Sequence, residues 1–357
     1  MCEVTKTLDL GGVETLLAER LLRAPGRRTR YTVVCLRPAV GPLAERIRAA
    51  GLHVVDVSAG ARALLYTRLI QTVRELRPDV VNLHSPIPAV ALRLTVGLRR
   101  PRPVLLSTVH STRYRRPTML LDRLTRRLDD HTVAVSPVVA RSATVHGARA
   151  VSTRVHGVDL AAQRAFAADA AAIRAEHGVG ADDFVVVHVA NFRAQKNHHA
   201  LIRAAARVTA ANPAVRFLLA GAGPLQPVVA AELRLHRLGD RVRLLGPVPR
   251  AARLIAAADL LVLASHYEGL PVVVMEALAA GVPVVSTAVG GIADLVVSGH
   301  NGILVPPGSP ADLASAILAA AEPGMYRRLR EGAQQSAGHV DIARTAEWFE
   351  ELYASHA

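Results

Sequence analysis

Residues 268–276 read Glu-Gly-Leu-Pro-Val-Val-Val-Met-Glu and follow shortly after the apolar run Leu260–Leu263. A short run of branched apolar residues predicts a buried strand. Gly269 then frees the backbone for a turn, and Pro271 suits the first turn of a helix. Strand, glycine turn and helix in this order form the repeating unit of a parallel α/β sheet. Ligands bind such sheets beyond the carboxyl ends of the strands.

Two carboxylates stand at the ends of this stretch. Glu268 lies in the turn, whereas Glu276 lies about a turn and a half into an otherwise apolar helix. A carboxylate can accept hydrogen bonds from two hydroxyls of a sugar or ribose, as it does in dinucleotide-binding folds. Because an unpaired buried carboxylate is costly, we expect Glu276 to have a ligand or a cation as its partner. A structural salt bridge is the alternative explanation.

The same alternation of short β-branched runs with Ala-, Leu- and Arg-rich helical segments extends over the whole chain. It predicts an α/β protein of two Rossmann-like, doubly wound domains that face each other across a cleft. The predicted strands are Glu3–Leu8, Tyr31–Leu36, His53–Val57, Val80–Leu83, Val104–Val109, Thr132–Val135, Ala150–Val155, Phe184–Val189, Arg216–Ala220, Val242–Leu244, Leu260–Leu263, Val282–Ser286 and Gly302–Val305.

An Ala-rich stretch with several glycines separates the two sets of strands, and we expect the domain boundary there. The last 35 or so residues have two helical patterns with an aromatic face, so we expect them to pack back on the first domain. The predicted segments are an N-terminal domain over 1–157, a linker over 158–183, a C-terminal domain over 184–322 and C-terminal helices over 323–357.

A second candidate site is the loop 190–197, which follows the first strand of the second domain and contains Arg193 and Lys196. Two cations at the start of a helix suit a pyrophosphate, because charge-assisted hydrogen bonds and the helix dipole act together. Lys196 and Lys6 are the only lysines in the chain, so compositional bias does not explain Lys196. A solvated surface charge is the alternative.

Two further candidates lie in the first domain. Gly11-Gly12 stands at a strand-to-helix turn, where backbone N–H groups can approach an anion, although a plain tight turn has the same sequence. His110 ends the predicted strand Val104–Val109, at the edge where active-site loops lie. His84 ends the neighbouring strand and is a weaker case, since a lone histidine is often structural.

Basic residues are concentrated in the first half of the chain. The formal charge is +14, and all of this excess lies within residues 1–160, because residues 161–357 are neutral. The preference for Arg over Lys is typical of a compositional bias, but a bias would affect both halves alike. The asymmetry therefore indicates that the N-terminal domain faces an anionic partner.

A basic amphipathic segment is the strongest part of this asymmetry. Leucines and Met119 alternate there with six arginines, a pattern typical of a surface helix that binds anionic lipid. We predict peripheral association with a membrane, and an ordinary packed helix with a solvated basic face is the alternative. The arginines are Arg113, Arg115, Arg116, Arg123, Arg126 and Arg127.

Composition excludes several other classes of protein. Aromatic residues make up only 3%, which argues against binding of single-stranded nucleic acid by base stacking. Two cysteines, Cys2 and Cys35, form neither a disulfide framework nor a zinc cluster, so we expect the reducing cytoplasm. No metal site is predicted. Charged residues interrupt any signal-peptide pattern near the start and any membrane span in 270–297.

Taken together, these motifs resemble the retaining glycosyltransferases of family 4, which have the GT-B fold of two facing Rossmann-like domains. The resemblance runs through nearly the whole chain. It is carried by Gly11-Gly12-Val13-Glu14, His110, Ala134-Val135-Ser136, Gly157-Val158-Asp159, Gly221-Ala222-Gly223-Pro224-Leu225, Glu268 to Glu276 and Ala277–Val285.

The resemblance implies a metal-independent transfer of a hexosyl group from a UDP- or GDP-sugar, without any cofactor, to a lipid-linked, polysaccharide or other surface acceptor. It implies that Arg193 and Lys196 bind the diphosphate and that Glu276 binds the ribose. His110 would contact the sugar or phosphate. For the remaining donor contacts, the resemblance implies Glu268 at the sugar hydroxyls, Gly12 against the phosphate, and the backbone of Gly269, Leu270, Pro271 and Val272 near both.

The chain departs from the family at two places. Ala190-Asn191-Phe192 replaces the family's Gly-Arg-Leu, which displaces the arginine to position 193, and His156 replaces an asparagine. Two other functions compete with transfer. A GT-B-fold sugar-nucleotide epimerase would use the same cleft, and a duplex-binding protein would explain the isoelectric point of about 11.0.

Overall fold

The structure is a computed structural model that describes residues 1–9, 11–24, 29–180 and 182–356. These residues form two compact units. The first unit joins Met1–Gly157 to the C-terminal segment that begins at Ile342, and the second unit is Val158–Asp341. No helix in the described ranges has both the length and the apolar character that crossing a bilayer requires.

The first unit is built on a seven-stranded parallel sheet of β1 (Cys2–Thr5), β2 (Thr32–Cys35), β3 (His53–Asp56), β4 (Val80–Leu83), β5 (Val104–Val109), β6 (His131–Ala134) and β7 (Val151–Thr153). The spatial order is β3-β2-β1-β4-β5-β6-β7, so the direction in which strands are added reverses between β1 and β4. Cys2 accordingly pairs with Thr32 on one side and with Val81 on the other.

Helices cover both faces of this sheet, because its strands are apolar on both sides. Val33 and Cys35 belong to one buried cluster, whereas Val34 between them belongs to the cluster on the opposite face. The connecting helices are α1 (Gly12–Leu22), α2 (Pro42–Ala49), α3 (Leu65–Leu76), α4 (Pro86–Thr95), α5 (Arg116–Thr125) and α6 (Pro137–Ala140), with 3₁₀ turns at Arg62–Leu64, Arg126–Leu128 and Ala143–Val145.

The first strand is shorter than the predicted Glu3–Leu8 and ends at Thr5. Two local side-chain hydrogen bonds turn the chain there. The Thr5 hydroxyl donates to the Thr7 carbonyl at 3.2 Å, and the Asp9 N–H donates to the Thr7 hydroxyl at 3.0 Å. Threonine hydroxyls that bond the nearby backbone in this way compete with strand pairing.

The second unit is built on a six-stranded parallel sheet of β8 (Phe184–Val189), β9 (Val215–Ala220), β10 (Val242–Gly246), β11 (Leu260–Leu263), β12 (Val284–Thr287) and β13 (Gly302–Val305). The order is β10-β9-β8-β11-β12-β13, with the reversal between β8 and β11. Both sheets are therefore parallel and doubly wound, and the predicted fold class is confirmed.

The stretch 158–183, expected as a linker, instead forms two helices that belong to the second unit; Ala181 lies outside the described residues. Ile173 is buried there because the two helices pack on the helix that precedes β11. The helices of this unit are α7 (Leu160–Ala168), α8 (Ala170–Glu176), α9 (His198–Ala211), α10 (Gln226–Leu235), α11 (Ala251–Ala256), α12 (Val272–Ala279), α13 (Pro310–Ala321) and α14 (Pro323–Ser336), with 3₁₀ turns at Ala194–Lys196, Gly290–Ile292 and Ala337–Val340.

The C-terminal segment 323–357 is divided between the units, whereas all of it was expected on the N-terminal domain. Helix α14 belongs to the second unit, and the last helix, α15 (Ile342–Ala354), packs on α1 in the first. Phe349 and Tyr353 of α15 are buried. The Tyr353 hydroxyl donates to Glu3 on β1 at 2.9 Å and accepts hydrogen bonds from Arg20 and Asn82, so a polar contact fixes the helix to the sheet.

We expect Tyr353→Phe to lower the free energy of unfolding of the first unit by about 1–3 kcal/mol, because it leaves buried polar groups without a partner. Trp348 is the single tryptophan and lies on α15, so its fluorescence during urea unfolding reports on this unit. Tyr66→Phe is the matched control, since the Tyr66 hydroxyl makes no hydrogen bond to the described residues. Equal urea midpoints for Tyr353→Phe and the parent would contradict the structural role.

Candidate functional site

The reversal of strand order in the second unit brings two loops together. The loop 190–197 follows β8 and the loop 264–271 follows β11, and these two strands are adjacent. In doubly wound sheets such a switch point opens a crevice at the carboxyl ends of the strands, where ligands bind. Both loops hold residues that the sequence singled out.

An ion pair joins the two loops. Lys196 Nζ lies 2.6 Å from Glu268 Oε1, and the same oxygen accepts a hydrogen bond from Ser265 Oγ at 2.7 Å. The Glu268 side chain is 7% exposed and that of Lys196 is 18% exposed. A carboxylate this deeply buried needs such partners, because desolvation disfavours its charged form. The structure thus places two of the predicted site residues in direct contact.

Backbone contacts hold the ion pair in place. The His266 N–H donates to the Gln195 carbonyl at 2.8 Å, and the Gln195 side-chain amide donates to the Tyr267 carbonyl at 2.8 Å. Lys196 ends the 3₁₀ turn Ala194–Lys196, after which Asn197 caps α9 through its side chain. The position of Lys196 is therefore set by hydrogen bonds on both sides of it.

Arg193 lies on the same loop, three residues before Lys196, and its side chain is exposed. Within the described part of the chain no carboxylate forms an ion pair with it. The predicted pair of cations thus consists of one partly buried group that is already held by a carboxylate and one exposed group. An exposed guanidinium can bind phosphate oxygens in a bidentate manner.

Two glycines, in the loops after β9 and β12, allow those loops to approach the loops 190–197 and 264–271 closely. A Cβ at Gly290 would lie 1.9 Å from the backbone oxygen of Glu268, and a Cβ at Gly221 would lie 1.9 Å from that of Ala190. Both glycines also have positive φ, at 55° and 137°, a region that other residues rarely adopt. The Gly291 N–H donates to the Gly269 carbonyl at 2.9 Å.

Helix α12 carries the second predicted carboxylate. Pro271 is the N-cap residue rather than a residue of the first turn, and the helix begins at Val272. Glu276 is partly exposed, whereas Val274, Met275 and Ala277 around it are buried. Gly269 and Leu270, between the two carboxylates, are also partly exposed.

The first unit holds a buried polar cluster at its own switch point. Glu3, which is 0% exposed, lies on β1, and its Oε1 accepts from Arg20 at 2.6 Å while its Oε2 faces His84 Nε2 at 2.7 Å. His84 Nδ1 lies 3.0 Å from His110 Nε2. Burial alone would raise the pKa of Glu3, but Arg20 and His84 overcome this effect and lower it to about 2.

Sequence reasoning named His110 and gave His84 less weight, but it missed Glu3 as a site residue. One signal was available, because an acidic residue within a short central strand is unusual and demands a partner. Its partner Arg20 lies 17 positions later on α1, and the other buried residues of that helix are apolar. Gly12, predicted to approach phosphate, is the first residue of α1 and is exposed.

The buried His156 lies between this cluster and α15. The rings of His110 and His156 have centroids 5.8 Å apart, and His156 lies 5.7 Å from Phe349. Neither ring nitrogen of His156 has a hydrogen-bond partner in the described part of the chain. Burial, with Arg20 and His84 nearby, lowers the pKa of His156 to about 3. Burial is also the main reason why the pKa of His110 is well below its usual value.

The basic segment of the first unit differs in part from the prediction. Arg126, counted with the surface arginines, is buried and pairs with Asp122 and Asp129. By contrast, three leucines of α5 point outward, with Leu120, Leu121 and Leu124 at 59%, 53% and 61% exposure.

The described residues contain no group of three His, Cys, Asp or Glu side chains arranged to hold a metal ion.

Two family models match the two halves of the chain. The model Glycosyltransferase Family 4 matches residues 10–162, and the model Glycosyl transferases group 1 matches residues 169–336. The chain belongs to glycosyltransferase family 4. The family 4 match covers the Gly12 turn and His110, and the group 1 match covers Lys196, Glu268 and Glu276.

Curated relatives are similar over part of their length. N-acetyl-alpha-D-glucosaminyl L-malate synthase of Bacillus anthracis is 31% identical over 165 residues, which is 46% of this chain and 43% of that protein. D-inositol 3-phosphate glycosyltransferase of Geodermatophilus obscurus is 35% identical over 197 residues, or 52% and 43% of the two chains. The matched part of this chain thus spans less than half the length of these relatives.

Among solved structures, Anabaena Alr3699/HepE in complex with UDP-glucose superposes with a TM-score of 0.87 and covers 99% of both chains. The two sequences are 23% identical, so the likeness concerns the fold. It is the GT-B fold, and it agrees with the two doubly wound sheets described above.

We expect acidification to destabilise the first unit, and His156→Asn to reduce the effect. In the unfolded chain His156 binds a proton as the pH falls through about 6.5. In the folded chain it stays neutral to about pH 3, so its contribution is complete above pH 6.5 and is lost as the pH falls. Between pH 7 and 5 the variant should lose about 1–2 kcal/mol less than the parent.

The measurement is urea unfolding followed by Trp348 fluorescence at both pH values. His53→Asn is the control for the loss of an imidazole, because His53 is exposed on β3. The same loss of stability in His156→Asn and in the parent would show that His156 is not neutral in the folded state.

Proposed function

We propose that the protein is a retaining, metal-independent glycosyltransferase that moves a hexosyl group from a nucleoside diphosphate sugar. The observation that carries this proposal is the Lys196–Glu268 ion pair at the switch point of the second unit. In a nucleotide sugar the diphosphate and the sugar ring are joined through one oxygen. A cation suited to phosphate and a carboxylate suited to hydroxyls must therefore be adjacent, as these two groups are at 2.6 Å.

Lys196 and Arg193 bind the diphosphate and stabilise the charge that develops on it as it leaves. Lys196 is pre-positioned by the hydrogen bonds of Gln195, so little reorganisation is needed when the charge appears. Its partial burial strengthens the interaction, because screening by water is reduced. Exposed Arg193 contributes a planar guanidinium on the same loop.

Glu268 and Glu276 bind hydroxyl groups of the donor. Glu268 accepts from hydroxyls of the transferred sugar, and Glu276, farther along α12, accepts from the ribose. The backbone of Gly269, Leu270, Pro271 and Val272 lies beside the sugar and the phosphate. The partial exposure of Gly269 and Glu276 supports access by a ligand.

In the first unit, Gly12 approaches the phosphate at the start of α1, and His110 contacts the donor. A UDP-sugar is the first donor to test, because the structural neighbour HepE was crystallised with UDP-glucose. A GDP-sugar is the other candidate. The acceptor attacks from the side on which the nucleoside diphosphate leaves, which retains the configuration at the anomeric carbon.

Lys196→Ala should weaken binding of UDP roughly ten- to a hundredfold, because a charge-assisted hydrogen bond to phosphate is lost. Transfer should fall by a similar factor or more, since the same group stabilises the leaving diphosphate. Calorimetry with UDP and with UDP-glucose measures the first effect. Release of UDP from UDP-glucose, with a membrane fraction as source of acceptor, measures the second.

Arg207→Ala is the matched control, because Arg207 is an exposed cation on α9, the helix that follows the Lys196 loop. It should leave both quantities unchanged. Circular dichroism and the melting temperature must show that Lys196→Ala remains folded. Near-normal UDP binding and turnover in folded Lys196→Ala would refute the assignment.

We also propose that the first unit docks on an anionic membrane surface, where it receives a lipid-linked or other surface glycoconjugate acceptor. Exposed leucines on α5 are the supporting observation. Leu94 on the adjacent helix α4 is also 50% exposed. Exposed arginines surround the leucines, which is the arrangement of an interfacial helix. They are Arg113, Arg115, Arg116, Arg123 and Arg127.

Replacing Leu120, Leu121 and Leu124 together with Ser should reduce binding to phosphatidylglycerol vesicles at low salt by about tenfold or more, because apolar insertion is lost while the charge is kept. Leu235→Ser is the control, since Leu235 is 78% exposed in the second unit. Sedimentation with vesicles gives the bound fraction. Equal binding of the triple variant and the parent, or no binding of the parent to anionic vesicles, would contradict membrane docking.

A further inference from the structure

The loop that carries Arg193 and Lys196 has a buried ring at each end. Phe192 precedes the two cations, and His198 follows them as the first residue of α9; both side chains are buried. Their ring centroids lie 4.4 Å apart, with the ring planes at 68°. Such an edge-to-face contact is a favourable arrangement for an aromatic pair. Residues 193–197 therefore leave the core and return to it at the same point.

Backbone hydrogen bonds fix Phe192 in place. Its N–H donates to the Ala222 carbonyl at 2.9 Å, and its carbonyl accepts from the Leu225 N–H at 3.1 Å. A Cβ at Gly223 would lie 2.5 Å from the Phe192 carbonyl oxygen, so this approach depends on glycine at that position. The start of the Lys196 loop is thus held by the loop that follows β9.

A second histidine supports His198 from the sheet. The ring of His188, on β8, has its centroid 5.0 Å from that of His198 and is nearly perpendicular to it, at 89°. His188 Nδ1 lies 2.8 Å from the carbonyl oxygen of Val262 on β11, and because a carbonyl only accepts, Nδ1 carries the proton. The strand order reverses between β8 and β11. The three rings therefore connect the Lys196 loop to both strands of the switch point.

Both histidines are uncharged at neutral pH. Burial, followed by the charge of Lys196, lowers the pKa of His198 to about 4. Burial, followed by His198, lowers the pKa of His188 to about 3. Neither ring therefore adds a positive charge beside Lys196. Neither ring nitrogen of His198 has a hydrogen-bond partner among the described residues, so this ring acts through its packing.

We propose that Phe192 and His198 are positioning residues, which hold the ends of the Lys196 loop together and thereby set Arg193 and Lys196 in place for the diphosphate. This proposal rests on the function proposed above. Both rings are buried, so they act through the loop and not by contact with the donor. Ends that are held together restrict a short loop to few conformations. A cation that is already in place binds its ligand without a further loss of conformational entropy.

Amide hydrogen exchange of the full chain, without ligand, tests the anchoring of the loop. The N–H groups of Lys196 and Asn197 form hydrogen bonds within the loop. His198→Leu keeps an apolar side chain but removes the ring, and it should speed exchange in peptides that cover 193–197 about threefold or more. Phe217→Leu is the matched control, because Phe217 is a buried ring of the same core cluster but lies on β9. It should lower the melting temperature and leave exchange in the loop unchanged.

A double-mutant cycle in UDP affinity tests whether the two rings act as a pair. Phe192→Leu and His198→Leu should each weaken UDP binding, measured by calorimetry, roughly three- to tenfold. The double variant should bind UDP about as well as either single variant, because each change alone separates the ends of the loop. Phe217→Leu should bind UDP like the parent. Losses that multiply in the double variant would overturn the proposal, since they would mean that the rings act independently.

The outcomes separate this inference from the proposed function. Unchanged exchange of the loop in folded His198→Leu would overturn the anchoring, and faster exchange with normal UDP affinity would overturn the positioning role. If the parent binds neither UDP nor GDP, the proposed function fails, while exchange still decides whether the rings anchor the loop. Circular dichroism shows which variants fold. Should one single variant fail to fold, the other carries both measurements against Phe217→Leu.

Discussion

The cost of burying a carboxylate constrains the centre of both units. Each sheet places one acidic side chain at or beside the strands where its order reverses, and each is almost fully buried: Glu3 in the first unit and Glu268 in the second. Arg20 forms an ion pair with Glu3, and Lys196 forms an ion pair with Glu268. Removal of either cation would leave a buried charge without compensation, an effect of several kcal/mol. Glu3 therefore fixes the position of α1, which carries Arg20, and Glu268 fixes the loop that carries Lys196.

The two ion pairs differ in exposure, and this difference separates their roles. Arg20 and Glu3 are 1% and 0% exposed, so their pair is closed to ligands and supports the fold. Lys196 retains 18% exposure, and its ammonium can gain a phosphate partner without unfolding of the loop. The same kind of ion pair thus supports the fold in the first unit and, under the proposed function, binds the donor in the second. His84 extends the closed pair toward the surface, and His110 is the point at which it becomes partly exposed.

The local sequence pattern predicted the strands, because buried parallel strands are continuous apolar runs. The predicted bounds agree with the structure for β4, β5, β8, β11 and β13. The pattern also singled out Lys196 and Glu268, whose residue types are unusual for their positions. It could not reveal that these two residues touch, since 72 positions separate them. Nor could it identify the partners of Glu3, which are Arg20 in α1 and Tyr353 in the last helix, 350 positions away. Pairing across such distances is set by topology, which local periodicity does not encode.

The net charge of the first half of the chain can be compared with the charged residues that the fold buries there. Arg20, Arg93 and Arg126 are buried together with Glu3, Asp122 and Asp129. Equal numbers of each sign are thereby withdrawn from the surface, so burial of these six groups does not reduce the excess of +14 in residues 1–160. A packed helix would bury its leucines, yet α5 leaves three of them more than half exposed beside this charge. Apolar surface and positive charge on one helix are both satisfied by an anionic interface, which neither water nor a neutral protein surface provides.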